Sequence, residues 1–355
     1  MSRAIVFLSL IFFFFSCDRK QWNEQSFYIK PSSDGYVLVI NYQARKLVYN
    51  LSRLGREGCV RIPPRRVIVF SSTHIGFISK LTEQNTIIGV ANIKYICCDS
   101  LLKRKESLVS LGDEFVVDNE KIISLRPDIV FISGYGEDQL KKFEDLHKFG
   151  ITVIPIMEYT ENTALNRAKW ILVFGVIFDK FSLSQKVFKQ IEIEYNNLQK
   201  KLANYLLINR LDSPSVFVNI PFRGVWYVPG GNSYIANLIK HAGGSYVFQD
   251  YKNNVSFPLS FEQVYERAKN ANILLNPNTA ETLADIYSID KRLKMFKAVR
   301  EGKVFNFIKQ KKQNCYNFWE KGVLEPHLIL SDLINIFYPK NTIISHHFYY
   351  YQKLK

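Results

Sequence analysis

The stretch SLSQKVFKQIEIEYNNLQKKLANYL, Ser182 to Leu206, reads as one helix and frames the rest of the chain. Ser182 and Gln185 have the Ser-x-x-Gln spacing of a capping box, in which two side chains satisfy orphan amides of the first turn. Apolar residues recur at Leu183, Val187, Ile191, Tyr195, Leu198, Leu202 and Leu206, a spacing of three or four that makes one stripe. No Gly or Pro interrupts it. At 1.5 Å per residue, about 25 residues span roughly 37 Å, which is long for a helix inside one globular domain. The stretch alone fits an ordinary surface helix. A strut joining two lobes fits better once the flanks are read, because both carry the same pattern.

Before the helix, short β-branched runs at 66–70, 87–90, 128–133 and 152–156 alternate with helical stretches at 75–81, 119–125, 140–149 and 162–178. After it, runs at 215–219, 272–276 and 303–306 alternate with helices at 233–241, 261–269, 289–296 and 326–337. Alternation of this kind implies parallel sheets. The fold class expected is therefore α/β, with two Rossmann-like α/β lobes joined by one long helix and a ligand cleft between the lobes. The expected boundaries are 63–181 for the first lobe, 182–206 for the connecting helix and 207–339 for the second lobe. An N-terminal β extension fills 18–62, with strands at 36–40 and 46–49, and residues 340–355 form a tail with no assigned role. Asp128, after Pro127, reads as a strand-start residue rather than an acid–base group.

The length of 355 residues exceeds one ordinary core. A net charge of +15 admits nucleic acid, an anionic membrane surface or an anionic ligand. Lys and Arg are spread along the chain, however, and no nucleic-acid motif is present, so a solvated basic surface is the simpler reading. At the N-terminus, Arg3, an apolar run from Ile5 to Phe15 and Ser16-Cys17 have the layout of a secretory signal ending in a lipobox, with Phe14 where an aliphatic residue is usual. Cleavage before Cys17 and lipidation of its thiol would leave residues 1–17 as signal peptide and place a lipid-anchored protein outside the cytoplasm. Cys59, Cys97, Cys98 and Cys315 lack metal-site spacing and read as structural or incidental, with any pairing left open.

Four segments, in this order around a long helix, resemble the helix-linked periplasmic substrate-binding proteins of ABC transporters, of the type that receives cobalamin, haem or ferric siderophores. They are RVIVFSSTHI at 66–75, NEKIISLRPDIV at 119–130, PGGNSYIANLIKHAGG at 229–244 and LSFEQVYERAKNANIL at 259–274. The resemblance covers about 61–339. It implies a bacterial lipoprotein receptor, monomeric, with a metal chelate as ligand and a permease as partner. It also implies that Glu120 and Glu262, matched at the starts of helices in the two lobes, meet arginines of that permease.

Residues at the strand exits are the candidates for the cleft: Thr73, His74, Tyr95, Tyr135 and Tyr159 from the first lobe, and Phe222, Arg223, Trp226, Tyr227, Phe257, Asn276, Asn278 and Trp319 from the second. Planar chelates need flat apolar faces and a few polar fixings. Arg223 is the candidate partner for an anionic group, and His74 the best single candidate to contact or coordinate a metal. A receptor for a bare divalent metal would need more converging His and carboxylates than six His suggest. An enzyme on this fold lacks a Gly-x-Ser-x-Gly elbow, a phosphate loop or His-Glu-x-x-His. A lobe pair that serves only adhesion is the third alternative. A helical strut predicts small closure on ligand binding.

Overall fold

The computed structural model describes residues 26–116 and 118–355. The expected signal peptide and Cys17 lie outside the described residues.

Four strands come first: β1 (Phe27–Pro31), β2 (Gly35–Tyr42), β3 (Arg45–Ser52) and β4 (Val60–Arg61). They form one sheet in that order, antiparallel except for β4, which runs parallel to β3. The hairpin expected at 36–40 and 46–49 is its centre, and β1 and β4 extend it. Along β2, Leu38, Ile40 and Tyr42 are buried at period two, and they belong to the core of the first α/β unit. Tyr49 Oη donates to the Val153 carbonyl at 2.9 Å and ties the sheet to that unit.

The first unit contains β5 (Val67–Val69), α1 (Ser72–Lys80), β6 (Ile87–Val90), α2 (Asp99–Leu102), β7 (Val109–Ser110), α3 (Asn119–Leu125), β8 (Ile129–Ile132), α4 (Glu137–Lys142), β9 (Thr152–Pro155), α5 (Ala164–Lys169) and α6 (Ile171–Ile177). Its sheet has the order β7-β6-β5-β8-β9 and is parallel throughout. The strand order reverses at β5, so the crevice beyond its carboxyl end is the natural ligand position. Asp128 accepts the amides of Arg65 and Arg66 at 2.7 and 2.9 Å, a structural role. The helix expected over 162–178 is two helices that meet at the buried Trp170. The helix expected over 140–149 is α4 followed by a 3-10 stretch, Glu144–Phe149.

The connecting helix α7 spans Phe181–Asn209, 29 residues, and leaves through Arg210 in the left-handed region. The expected capping box is absent. The helix starts one residue earlier, at an N-cap of Lys180 with no side-chain cap, because the chain turns tightly out of α6 and the Lys180 amide donates to the Gly175 carbonyl at 2.7 Å. Ser184 is buried against Gly175 and Leu183 faces solvent, so the buried stripe is Ser184, Ile191, Tyr195 and Leu202.

The second unit contains β10 (Ser215–Val218), β11 (Trp226–Pro229), α8 (Tyr234–His241), β12 (Ser245–Tyr246), β13 (Ser256–Leu259), α9 (Phe261–Ala268), β14 (Ile273–Leu275), α10 (Leu283–Ile289), α11 (Lys297–Arg300), β15 (Val304–Asn306), β16 (Lys311–Lys312), β17 (Cys315–Tyr316), α12 (Asn317–Glu320), α13 (Pro326–Phe337) and β18 (Gln352–Lys353). The main sheet runs β12-β10-β14-β15-β18, with only β18 antiparallel. Where a helix was expected over 289–296, α10 ends at Ile289 and a 3-10 turn over Lys291–Met295 begins on the side chain of Asp290.

Residues 340–355 are no loose tail. Tyr350 and Tyr351 are fully buried, and the amides of Tyr349, Tyr350 and Tyr351 all donate to the Asp332 carboxylate at 2.6–2.8 Å. The chain then enters the sheet as β18.

Candidate functional site

The two units meet through α1 and α12. Gly76 lies where any Cβ would fall on the Glu320 carbonyl oxygen, so only glycine lets the helices approach this closely. Thr73 Oγ1 donates to the Trp319 carbonyl at 3.1 Å, and the Cys97 amide donates to Glu320 Oε2 at 2.7 Å. Lys312 pairs with Asp99 across the same joint at 2.9 Å. A disulfide joins Cys97 of the first unit to Cys315 of the second, with a Cα–Cα distance of 5.5 Å. Cys59 and Cys98 are free. Glu320 is buried, and that burial pushes its carboxyl up to about 7.

Two cavities open beside this joint. The first, about 370 Å³, lies at the carboxyl end of β5 and β6; Ser71, Asn92, Tyr95, Glu114, Tyr135 and Tyr316 line it. The second, about 530 Å³, lies at the carboxyl ends of β10 and β14; Tyr159, Arg167, Tyr234, Asn276, Asn278 and Phe318 line it. Trp319, 41% exposed, belongs to both. These volumes are those of small-molecule sites. Tyr135 stands between Phe115 and Tyr159, at ring distances of 5.4 and 4.9 Å, so the aromatic wall is continuous.

Of the expected cleft residues, Tyr95, Tyr135, Tyr159, Asn276, Asn278 and Trp319 line these cavities. Asn276 and Asn278 both have positive φ, 55° and 50°, a bend that Asn tolerates. Asn278 Nδ2 donates to the Ile220 carbonyl, and Asn276 Oδ1 accepts from Tyr351 Oη. The tail thus braces the second cavity from behind.

The others are placed elsewhere. His74 is a correction: it is fully buried in the first core, edge-on to Phe131 and tilted against Phe174, with no surface facing the cleft. Desolvation lowers its pKa to about 3, so it stays neutral. Helix α1 begins at Ser72, and this turns the third residue inward instead of leaving it in the cleft-facing turn. Trp226 is the second correction: it has no exposure, packs on Phe217 and Phe296, and its Nε1 donates to the Val218 carbonyl at 3.1 Å. The strand β11, unread in the sequence, points Trp226 and Val228 in and Tyr227 out. Thr73 is buried and bonded to Trp319, beside the cavity but off its surface. Phe222, Arg223, Tyr227 and Phe257 line neither cavity. Arg223 lies 5.3 Å over the Phe222 ring in an exposed turn, and Phe257 stacks on Tyr251.

Glu120 stands exposed in the first turn of α3 and Glu262 in that of α9. Glu262 also pairs with Arg292 at 3.1 Å.

Sequence reading missed Glu114, Arg167, Tyr234 and Tyr316. Arg167 is held to the buried Glu158 at 3.2 Å and lies 4.7 Å from the Tyr234 ring centre. Ser233, the N-cap whose hydroxyl accepts the Ala236 amide, signalled that Tyr234 sits at a helix start. Nothing local marked Glu114, which lies in an irregular loop.

A family model for periplasmic binding proteins matches residues 67–310. An uncharacterized lipoprotein of Methanocaldococcus jannaschii is 28% identical over 295 residues, which are 79% of this chain and 67% of that protein. The fold is similar to a periplasmic haem-binding protein from Pseudomonas aeruginosa, with a TM-score of 0.62 and 16% identity over 79% of this chain and 95% of that one. It is also similar to a protein of an ABC-type Fe3+-hydroxamate transport system from Saccharomonospora viridis, with a TM-score of 0.60 and 17% identity over 84% and 98% of the two chains.

Proposed function

The chain belongs to the periplasmic binding protein family, and on that premise we propose that it captures a metal chelate and delivers it to an ABC importer. The chelate is a cobalamin, haem or ferric siderophore, bound without turnover in the cleft between the two units. The protein acts outside the cytoplasm, held to a membrane through lipid on Cys17, and meets its permease through Glu120 and Glu262. The observation that carries this reading is the set of aromatic faces, Tyr95, Tyr135, Tyr159 and Trp319, that line two neighbouring cavities together with polar groups such as Asn92, Asn276 and Asn278. Flat apolar faces of this kind suit a bulky chelate better than a bare ion. The similar folds from the haem and Fe3+-hydroxamate systems support the same ligand class.

Tryptophan fluorescence of the full chain in detergent, titrated with cobalamin, haemin and ferric siderophores, tests it. Trp319 is the half-exposed indole in the cleft, whereas Trp170 and Trp226 are buried. Saturable quenching by one chelate, lost in Trp319→Phe, is expected. Absence of saturable binding by folded protein to every chelate would overturn the reading.

A further inference from the structure

The charge on the cleft is opposite to the charge on the protein. The chain carries 47 Lys and Arg against 32 Asp and Glu. Yet among the described residues, one basic side chain, Arg167, lines the two cavities, and no lysine or histidine does. Arg167 is already committed to Glu158, and Glu161 stands in the same wall. The Arg167 side chain is only 11% exposed and is held in that ion pair, so little of its charge is presented to the cavity. Lys311 lies behind Tyr316, 5.4 Å from its ring centre, and is paired with Glu281. Arg223, the residue placed by sequence to hold an anion, is outside both cavities.

The first cavity goes further. Glu114 lines it and is only 6% exposed. One carboxylate oxygen, Oε2, accepts the Ser133 amide at 3.0 Å, and among the described residues the other has no hydrogen bond. Tyr95, Tyr135, Tyr316 and Trp319 surround the same space. A buried carboxylate among aromatic faces is the arrangement that attracts an ammonium, because the charge and the ring quadrupoles act in the same direction. Burial first raises the Tyr135 hydroxyl above its usual range, a hydrogen bond with the Ser133 side chain opposes this, and the nearby Glu114 and Glu158 add to the rise. Two propionates or a tris-catecholate would instead meet the Glu114 carboxyl in a cavity that no basic side chain lines among the described residues.

We infer that the cleft selects a metal chelate that is cationic or neutral and presents an ammonium or another strong hydrogen-bond donor to Glu114, and that it discriminates against polyanionic chelates. This rests on the chelate-receptor reading above and narrows it.

The test uses the full chain in detergent and four probes: ferrioxamine B, which bears a free ammonium; ferrichrome, which is neutral; and ferric enterobactin and haemin, which are anionic. Wild-type protein should bind ferrioxamine B or ferrichrome at least about ten-fold more tightly than either anion. Glu114→Gln keeps an acceptor for the Ser133 amide; it should weaken ferrioxamine B by at least about ten-fold and ferrichrome by no more than about three-fold. Tightest binding of an anionic probe would overturn this inference and leave the receptor reading standing. Equal loss of the ammonium and neutral probes in the variant would reduce Glu114 to a structural residue and also overturn it. No binding by any probe, with circular dichroism showing folded protein, would remove the receptor reading and this inference together.

Discussion

The two α/β units have the same plan, a five-stranded sheet with β5 or β14 near its middle, but they finish their edges differently. The first unit keeps an all-parallel sheet and acquires a separate N-terminal sheet that hydrogen-bonds to itself and packs alongside. The second draws its own C-terminal chain into the sheet as β18 and pins the approach with one carboxylate, Asp332. Most of an added sheet's polar pairing is internal, so it leans on its host mainly through apolar contact. An inserted tail shares its polar pairing with the host, and the host depends on it.

Asp332→Ala should break that contrast most strongly. It would leave three amides of a buried segment without their acceptor, and a loss of about 4 kcal/mol of unfolding free energy is expected in urea denaturation. Loosening of Tyr351 would also release Asn276, so cavity function should fall with stability. A loss below about 1 kcal/mol would mean the tail is as dispensable as an external addition.

Glu320 sharpens the comparison at the joint, which belongs to neither unit alone. Its folded pKa of about 7 lies above its ordinary 4.5, so folding favours the protonated form. Its contribution is complete below about pH 4.5 and is lost as pH rises through about 7. Across pH 5–8, Glu320→Gln should therefore flatten the decline in melting temperature, by the equivalent of roughly 2 kcal/mol. The same slope in variant and wild type would contradict this.

The smallest effect belongs to the N-terminal side. Tyr49→Phe removes the hydroxyl that reaches the Val153 carbonyl. It should cost about 1 kcal/mol by the same denaturation measurement. A cost near that of Asp332→Ala would show that the N-terminal sheet is integral after all.

Much of the architecture was legible because it rests on local signals. The stripe Ile191, Tyr195 and Leu202 marked α7, and the β-branched runs marked β5, β6, β8 and β9. The site was legible only in part, because its geometry depends on phase. His74 stands with Phe77, Ile78 and Leu81 at the spacing of a buried helical stripe, and that pattern outweighs its place in a strand-exit turn. Trp226 and Val228 alternate with Tyr227 in the same way. Glu114 and the pairing of Cys97 with Cys315 had no local signal, since both are fixed by segments distant in sequence. The sequence separation of that pair is 218 residues.

That bond also changes what it means to cut the molecule. Between its two cysteines lie α7 and the greater part of both units, so the chain there is a closed ring and no longer a line with two ends. A protease that opens one loop of the ring, even the exit of α7 at Arg210, leaves every fragment attached to its neighbours. A single nick inside the ring therefore leaves the second unit covalently attached to the first.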